Sequence, residues 1–310
     1  MFLKNKHSSI EQIHFSEISD KEIFLFIKRE DALHPFISGN KYRKLKYNLV
    51  EAFNQKKHTL VTFGGAFSNH IAAVAAAGFE YGFKTIGVIR GHELAYNLDE
   101  VLQTNPTLKF ASQHNMQFHF VTRSEYREKT SATFIENLQQ KFGDFYLIPE
   151  GGTNIFAVKG CEEILTENDD QYDIICSAIG TGGTISGIIN STKKNQEVIG
   201  FPSLKGDFLE NEIKKYISEE KKWHINTQYH FGGYAKISEE LITFINKFKS
   251  ETGIPLDPVY TGKMMFGIVD LIKNDYFKKG RKILAIHTGG LQGIDGMNNV
   301  LKKKNLPQIV

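Results

Sequence analysis

Lys41 stands in Ser38-Gly39-Asn40-Lys41-Tyr42-Arg43-Lys44-Leu45, where a loop with helix-breaking residues gives way at once to a helical pattern. No other lysine is framed this way, which makes it the candidate for an amine that bonds covalently to an aldehyde. Far downstream, the buried-strand run Asp173 to Ile179 leads into Gly180-Thr181-Gly182-Gly183-Thr184 and then a helical pattern from near Ile185. Glycines there let backbone N–H groups converge on an anion at a helix N-terminus, and Thr181 and Thr184 add hydroxyl donors. A dinucleotide fingerprint wants a glycine where Ile185 stands, and a nucleotide P-loop wants Gly-Lys-Ser/Thr. A lone phosphate group matches better; a tight strand-to-helix turn without a ligand is the plainer alternative.

Three further segments offer polar groups. Gly64-Gly65-Ala66-Phe67-Ser68-Asn69-His70 follows a strand and opens a small-residue helix, so Ser68 and Asn69 suit capping. The same helix end can grip a substrate carboxylate, and the two roles are compatible. Tyr260, in Asp257-Pro258-Val259-Tyr260-Thr261-Gly262-Lys263, ends a turn before a helix over Met264 to Lys273. The run Ile283 to Ile286 ends in His287-Thr288-Gly289-Gly290, which places Thr288 at the carboxyl edge of a sheet, where open α/β folds bind ligands.

The elements that must position these residues alternate between β-branched or aromatic runs and helix-length amphipathic segments, so the fold class is α/β with a mostly parallel sheet. Expected strands are Phe24 to Lys28, Thr59 to Phe63, Lys84 to Ile89, Gln117 to Val121, Phe145 to Ile148, Asp173 to Ala178, Glu197 to Phe201 and Lys282 to His287. The helix from Lys41 keeps Leu45 and Leu49 on one face, with Lys44 and Lys46 turned elsewhere. The turn cluster Pro149-Glu150-Gly151-Gly152-Thr153-Asn154 suggests a boundary between two lobes.

Composition narrows the partners. The 310 residues, 41% of them hydrophobic, suffice for one large domain or two lobes. The net charge of +3 is spread along the chain, so neither nucleic acid nor a membrane surface is implied; Lys302-Lys303-Lys304 reads as a solvated patch. The apolar stretches are too short to span a bilayer and the first residues have no signal core, so a soluble cytoplasmic protein is expected. Cys161 and Cys176 form no paired motif, and the histidines form no zinc motif, so no metal is expected.

Taken in order, these segments resemble the pyridoxal-phosphate enzymes of the family that contains D-cysteine desulfhydrase and 1-aminocyclopropane-1-carboxylate deaminase. The resemblance runs from about Phe26 to Leu291 and includes Lys28-Arg29-Glu30-Asp31. It implies a two-lobed, tryptophan-synthase-β-like fold (fold type II) with a larger cofactor-binding domain of 1–43 and 152–310, a smaller inserted domain of 44–151, and a homodimer. By the same resemblance, Lys41 carries pyridoxal 5'-phosphate as a Schiff base, Gly180, Thr181, Gly182, Gly183 and Thr184 hold its phosphate, and Asn69 bonds its ring hydroxyl. Tyr260 and, more loosely, Tyr234 match the family's active-site tyrosines, and Ser68 would join them on the substrate.

Two positions speak to the reaction. The deaminase pattern has a glutamate after the tyrosine and His-Leu-Gly-Gly after the late strand; here Thr261 and Thr288 stand there. A hydroxyl beside the ring nitrogen stabilises its protonated form less than a carboxylate does, giving a weaker electron sink. That favours elimination of a good leaving group such as thiolate, hence D-cysteine to pyruvate, ammonia and sulfide, over opening of an unactivated ring. The deaminase remains the first alternative; a non-catalytic phosphate-ligand binder, with Lys41 an ordinary amine, is the remote one.

Overall fold

The computed structural model describes residues 2–310 and carries ten strands. In chain order these are β1 (Ile10–Gln12), β2 (Phe24–Lys28), β3 (Thr59–Gly65), β4 (Lys84–Arg90), β5 (Met116–Val121), β6 (Tyr146–Ile148), β7 (Ile174–Ile179), β8 (Glu197–Pro202), β9 (Trp223–Ile225) and β10 (Lys282–Ile286). They form a six-stranded sheet, β1-β2-β10-β7-β8-β9, and a four-stranded sheet, β5-β4-β3-β6. Every pairing is parallel except β1 with β2. The central strand β7 is buried along its whole length, as expected of a parallel strand covered by helices on both faces.

All eight strands expected from apolar runs are present, with ends shifted by a residue or two. The two additional strands, β1 and β9, lie at the sheet edges and are only partly buried. Ile10-Glu11-Gln12 and Trp223-His224-Ile225 are only three residues each, too short to signal a strand; pairing with β2 and β8 is what makes them strands.

One core packs the Glu239–Thr252 and Thr261–Lys273 helices, through Phe248, Met264 and Ile268, onto the larger sheet. Another packs the Asn69–Tyr81 helix onto the smaller one. That helix is rich in alanine because it lies close to its sheet: a Cβ at Gly78 would sit 2.1 Å from Thr85 Cγ2.

The Asn40–Asn54 helix, which carries Lys41, is fixed from several directions. Gly39 adopts φ +61°, and a Cβ there would lie 1.9 Å from the carbonyl oxygen of Thr288, so the start of the helix is pressed against the His287–Gly290 turn. The Asn40 N–H donates to that same oxygen at 3.1 Å. Three residues on, the Arg43 guanidinium donates to both oxygens of Glu30 at 2.8 and 2.9 Å, with both side chains buried. At Gly160 a Cβ would meet the Arg43 carbonyl at 2.0 Å, so the Ile155–Cys161 helix lies against this one. The Lys28-Arg29-Glu30-Asp31 stretch therefore anchors the helix: Lys28 pairs with buried Asp169 at 2.7 Å, Glu30 holds Arg43, and Arg29 and Asp31 pair with each other.

Lys44 and Lys46, turned away from the Leu45–Leu49 face, are buried as well. Lys46 donates to Glu163 at 2.6 Å, and Lys44 donates to the Gly151 carbonyl at 2.9 Å and the Thr153 hydroxyl at 3.1 Å. The leucine periodicity marks one packed face, but this helix is covered on a second face by the segment after β6.

Candidate active site

A cavity opens where the carboxyl ends of β7 and β10 meet the first turns of the Asn40–Asn54, Asn69–Tyr81 and Gly183–Ser191 helices. Its lining includes Lys41, Asn69, Gly180, Thr181, Gly182, Thr184, Tyr260 and Thr288, segments separated by up to 247 positions in sequence. Most of the residues chosen from sequence thus converge on one space. Asn40, Lys44 and Gln292 also line it, and Asn40 and Gln292 carried no separate sequence signal. For Lys44 a signal existed: three residues after Lys41 on a helix is the same face, one turn on.

Lys41 is half-buried in the cavity wall, and its Nζ donates to Asn40 Oδ1 at 3.2 Å. The Asn40 amide in turn donates to the Thr184 hydroxyl at 2.8 Å, which ties the lysine to the glycine loop. Burial, aided by the neighbouring Lys44 cation, lowers the Lys41 pKa to about 7. Burial also lowers Lys44 to about 8. His70 is pushed well below its ordinary value by burial and then by Lys41 and Lys44, so it is neutral here. Its Nε2 meets the Thr62 hydroxyl at 2.8 Å, leaving it a packing and polar-network role beneath the site.

The glycine loop has the form an anion needs. Gly182 precedes the Gly183–Ser191 helix at φ +88°, and no side chain caps the exposed N–H groups of the first turn. Gly180 lets the Tyr260 ring lie against the loop, since a Cβ there would approach the ring to 3.2 Å. The Thr181 and Thr153 hydroxyls meet at 2.6 Å, and Lys44 donates to Thr153, bringing a cation behind the loop. Gly183 is not part of the lining; it packs against Thr153, 2.9 Å from where its Cβ would be.

On the opposite wall, Asn69 Oδ1 is buried without a hydrogen-bond partner. An orphaned acceptor in a cavity beside a low-pKa lysine and an uncapped helix start is what a pyridoxal phosphate would complete: aldehyde to Lys41, ring hydroxyl to Asn69, phosphate to the loop.

Three other residues take different places. The Ser68 hydroxyl accepts the Ile71 N–H at 3.3 Å as a helix cap, and Ser68 is not part of the lining. Thr261 is fully buried outside the cavity, and its hydroxyl donates to Asp257 Oδ1 at 2.7 Å. Asp257 also accepts the N–H groups of Val259, Tyr260 and Thr261, so it builds the turn that presents Tyr260. Sequence reasoning missed Asp257, although an aspartate opening a turn, able to accept the N–H two residues on, is an Asx-turn signal. Tyr234 is 47% exposed and packs edge-on against Tyr260, ring centroids 6.2 Å apart. Burial first, and then Tyr234, raise the Tyr260 hydroxyl well above the usual phenol range, so it stays protonated.

Residues 10–289 match the family described as pyridoxal-phosphate dependent enzyme. The chain is 32% identical over 294 residues to the mitochondrial bifunctional D-cysteine desulfhydrase/1-aminocyclopropane-1-carboxylate deaminase of Arabidopsis thaliana, covering 87% of this chain and 73% of that one. It is 32% identical over 288 residues to a putative 1-aminocyclopropane-1-carboxylate deaminase of Pyrococcus horikoshii, covering 87% and 85%. A crystal structure described as an ACC deaminase homologue superposes with a TM-score of 0.77 at 29% identity, covering 97% of this chain and 94% of that one.

Proposed function

Because this chain belongs to the pyridoxal-phosphate-dependent enzyme family, with a fold-type II architecture, we propose that it eliminates the β-substituent of a small amino acid, D-cysteine giving pyruvate, ammonia and sulfide. The observation that carries this reading is the chemistry of the cavity wall: its polar groups are hydroxyls, amides, ammonium groups and backbone, with the Thr288 hydroxyl on the late turn. Asp257, the carboxylate packed behind Gly290 of that turn, is already engaged by four donors. A ring nitrogen facing a hydroxyl is a modest electron sink, sufficient when the leaving group is good.

Bound pyridoxal phosphate supplies the aldehyde that takes the substrate amine and the ring that accepts electron density from Cα. The rest of the work falls to side chains of this chain. Lys41 holds the cofactor until the substrate amine replaces it; the freed neutral amine, near its pKa at pH 7, takes the proton from Cα. The N–H groups at the start of the Asn69–Tyr81 helix bind the substrate carboxylate, and Ser68 keeps that helix end in shape. Tyr260, protonated and against the loop, donates a hydrogen bond to the departing sulfur, with Tyr234 behind it. One water enters as the three-carbon product is hydrolysed to pyruvate and ammonia.

A soluble cytoplasmic homodimer with an inserted lobe of 44–151 belongs to the same reading, and size-exclusion chromatography with light scattering tests the dimer. The decisive assay is 2-oxo acid release across D- and L-cysteine, β-chloro-D-alanine and 1-aminocyclopropane-1-carboxylate. Pyruvate and sulfide from D-cysteine are expected. Release of 2-oxobutyrate from the cyclopropane substrate at a matching rate would move the reading to the deaminase, and a protein left colourless by pyridoxal phosphate would sink both.

A further inference from the structure

Lys263 is a buried ammonium in the first turn of the Thr261–Lys273 helix, a position where the helix dipole disfavours a cation. Burial lowers its pKa to about 8. Its Nζ donates to two backbone carbonyls, His230 at 2.9 Å and Gly233 at 2.8 Å. An apolar side chain would fill the same space without the desolvation cost, so the contact is better explained by what it holds than by stability.

What it holds is the 227–236 strap. That segment turns through Phe231, Gly232, Gly233 and Ala235, all at positive φ, and two of these are not glycine. Such a backbone persists only where its surroundings enforce it. Much of the enforcement comes from one stripe of the helix, with Phe201 of β8 also packing on the Tyr229 ring at 6.1 Å between centroids. Besides Lys263, the Phe266 ring meets Phe231 edge-on at 5.0 Å, and Asp270 accepts the Tyr229 hydroxyl at 2.7 Å. Gly267 leaves room for the Tyr229 ring, which a Cβ would approach to 2.8 Å. Positions 263, 266, 267 and 270 share one face at helical spacing. The strap's product is Tyr234, set against Tyr260, and Tyr260 starts the very helix that carries the stripe.

We infer that Lys263 is a positioning residue: by clamping the His230 and Gly233 carbonyls it sets Tyr234 against Tyr260 and so aims the Tyr260 hydroxyl at the substrate's leaving group. This deepens the elimination reading and rests on it for the leaving group, though not for the clamp.

The test uses the cofactor-loaded full chain with Lys263→Met and Lys263→Arg. Hydrogen exchange, followed by mass spectrometry, should be about tenfold faster over residues 230–236 in Lys263→Met and mostly restored in Lys263→Arg, with visible absorbance of the bound cofactor unchanged. On β-chloro-D-alanine, whose chloride leaves without a hydrogen-bond donor, kcat/KM should stay within about threefold, while on D-cysteine it should fall about tenfold or more. Unchanged exchange over the strap, or equal losses on the two substrates, would overturn the inference. If the wild-type chain releases no 2-oxo acid from either compound, the elimination reading falls and the exchange result alone decides the clamp.

Discussion

At the scale of single residues, the lowered pKa of Lys41 has a direct kinetic consequence. Attack on an aldehyde needs the neutral amine, and for an ordinary lysine the neutral fraction keeps rising up to about pH 10.4. With the Lys41 pKa at about 7, cofactor attachment to the bare protein should accelerate up to that pH and level off above it. Stopped-flow absorbance over pH 6 to 10 reads this, roughly the window set by the two values; a rate still climbing at the upper end would show that burial does not discharge this amine. Lys41→Ala should abolish the visible band altogether. Asn69 allows a gentler test. Its buried Oδ1 lacks a partner, so Asn69→Ala should weaken cofactor binding by about tenfold, the worth of about one hydrogen bond. Equilibrium titration by absorbance measures it. Lys41 and Asn69 were legible because their neighbours in sequence define a loop-to-helix junction. Asp257 and Lys44 show more faintly: Asp257 acts through bonds to the short turn that it opens, whereas only the fold brings Thr153 to Lys44.

At the scale of elements, the site is held by places where backbones touch. Gly39 is the sharpest. It combines positive φ with a Cβ position overlapping the Thr288 carbonyl, so Gly39→Ala cannot be accommodated without moving Lys41 relative to Thr288. Reduced cofactor occupancy is expected even where the variant stays folded, visible as a lower ratio of visible to ultraviolet absorbance. The Glu30–Arg43 pair is the second anchor. Removing one partner from a buried ion pair leaves the other uncompensated and costs about 3–5 kcal/mol. Glu30→Gln should therefore lower the denaturant midpoint by a corresponding amount, and a change under about 1 kcal/mol would mean the pair is locally solvated. The strands around these anchors were readable because parallel strands buried on both faces are continuous apolar runs, as in β7. The contact of Gly39 with Thr288 was not, since nothing in either segment announces the other.

At the scale of the whole molecule, the cavity draws on both sheets. Asn69 comes from the helix packed on the four-stranded sheet, whereas the Gly180 loop and Thr288 close the carboxyl edge of the six-stranded one. The bound cofactor would therefore touch both halves, which raises the question of whether it is what joins them. The helices argue otherwise. Gly160 brings the Ile155–Cys161 helix into backbone contact with the Asn40–Asn54 helix, and Lys44 and Lys46 reach Gly151, Thr153 and Glu163 beyond β6. These contacts run between protein groups alone and link the segment that starts the smaller sheet to the segment that leaves it. Unfolding of the cofactor-free chain should accordingly be one cooperative transition, and saturating pyridoxal phosphate should raise its midpoint without changing its shape. At a hundredfold excess over the dissociation constant, mass action adds about 2.7 kcal/mol. Differential scanning calorimetry distinguishes the cases: two resolved transitions in the cofactor-free chain, merging when it is loaded, would mean that the cofactor rather than the helix pair fastens the two sheets together.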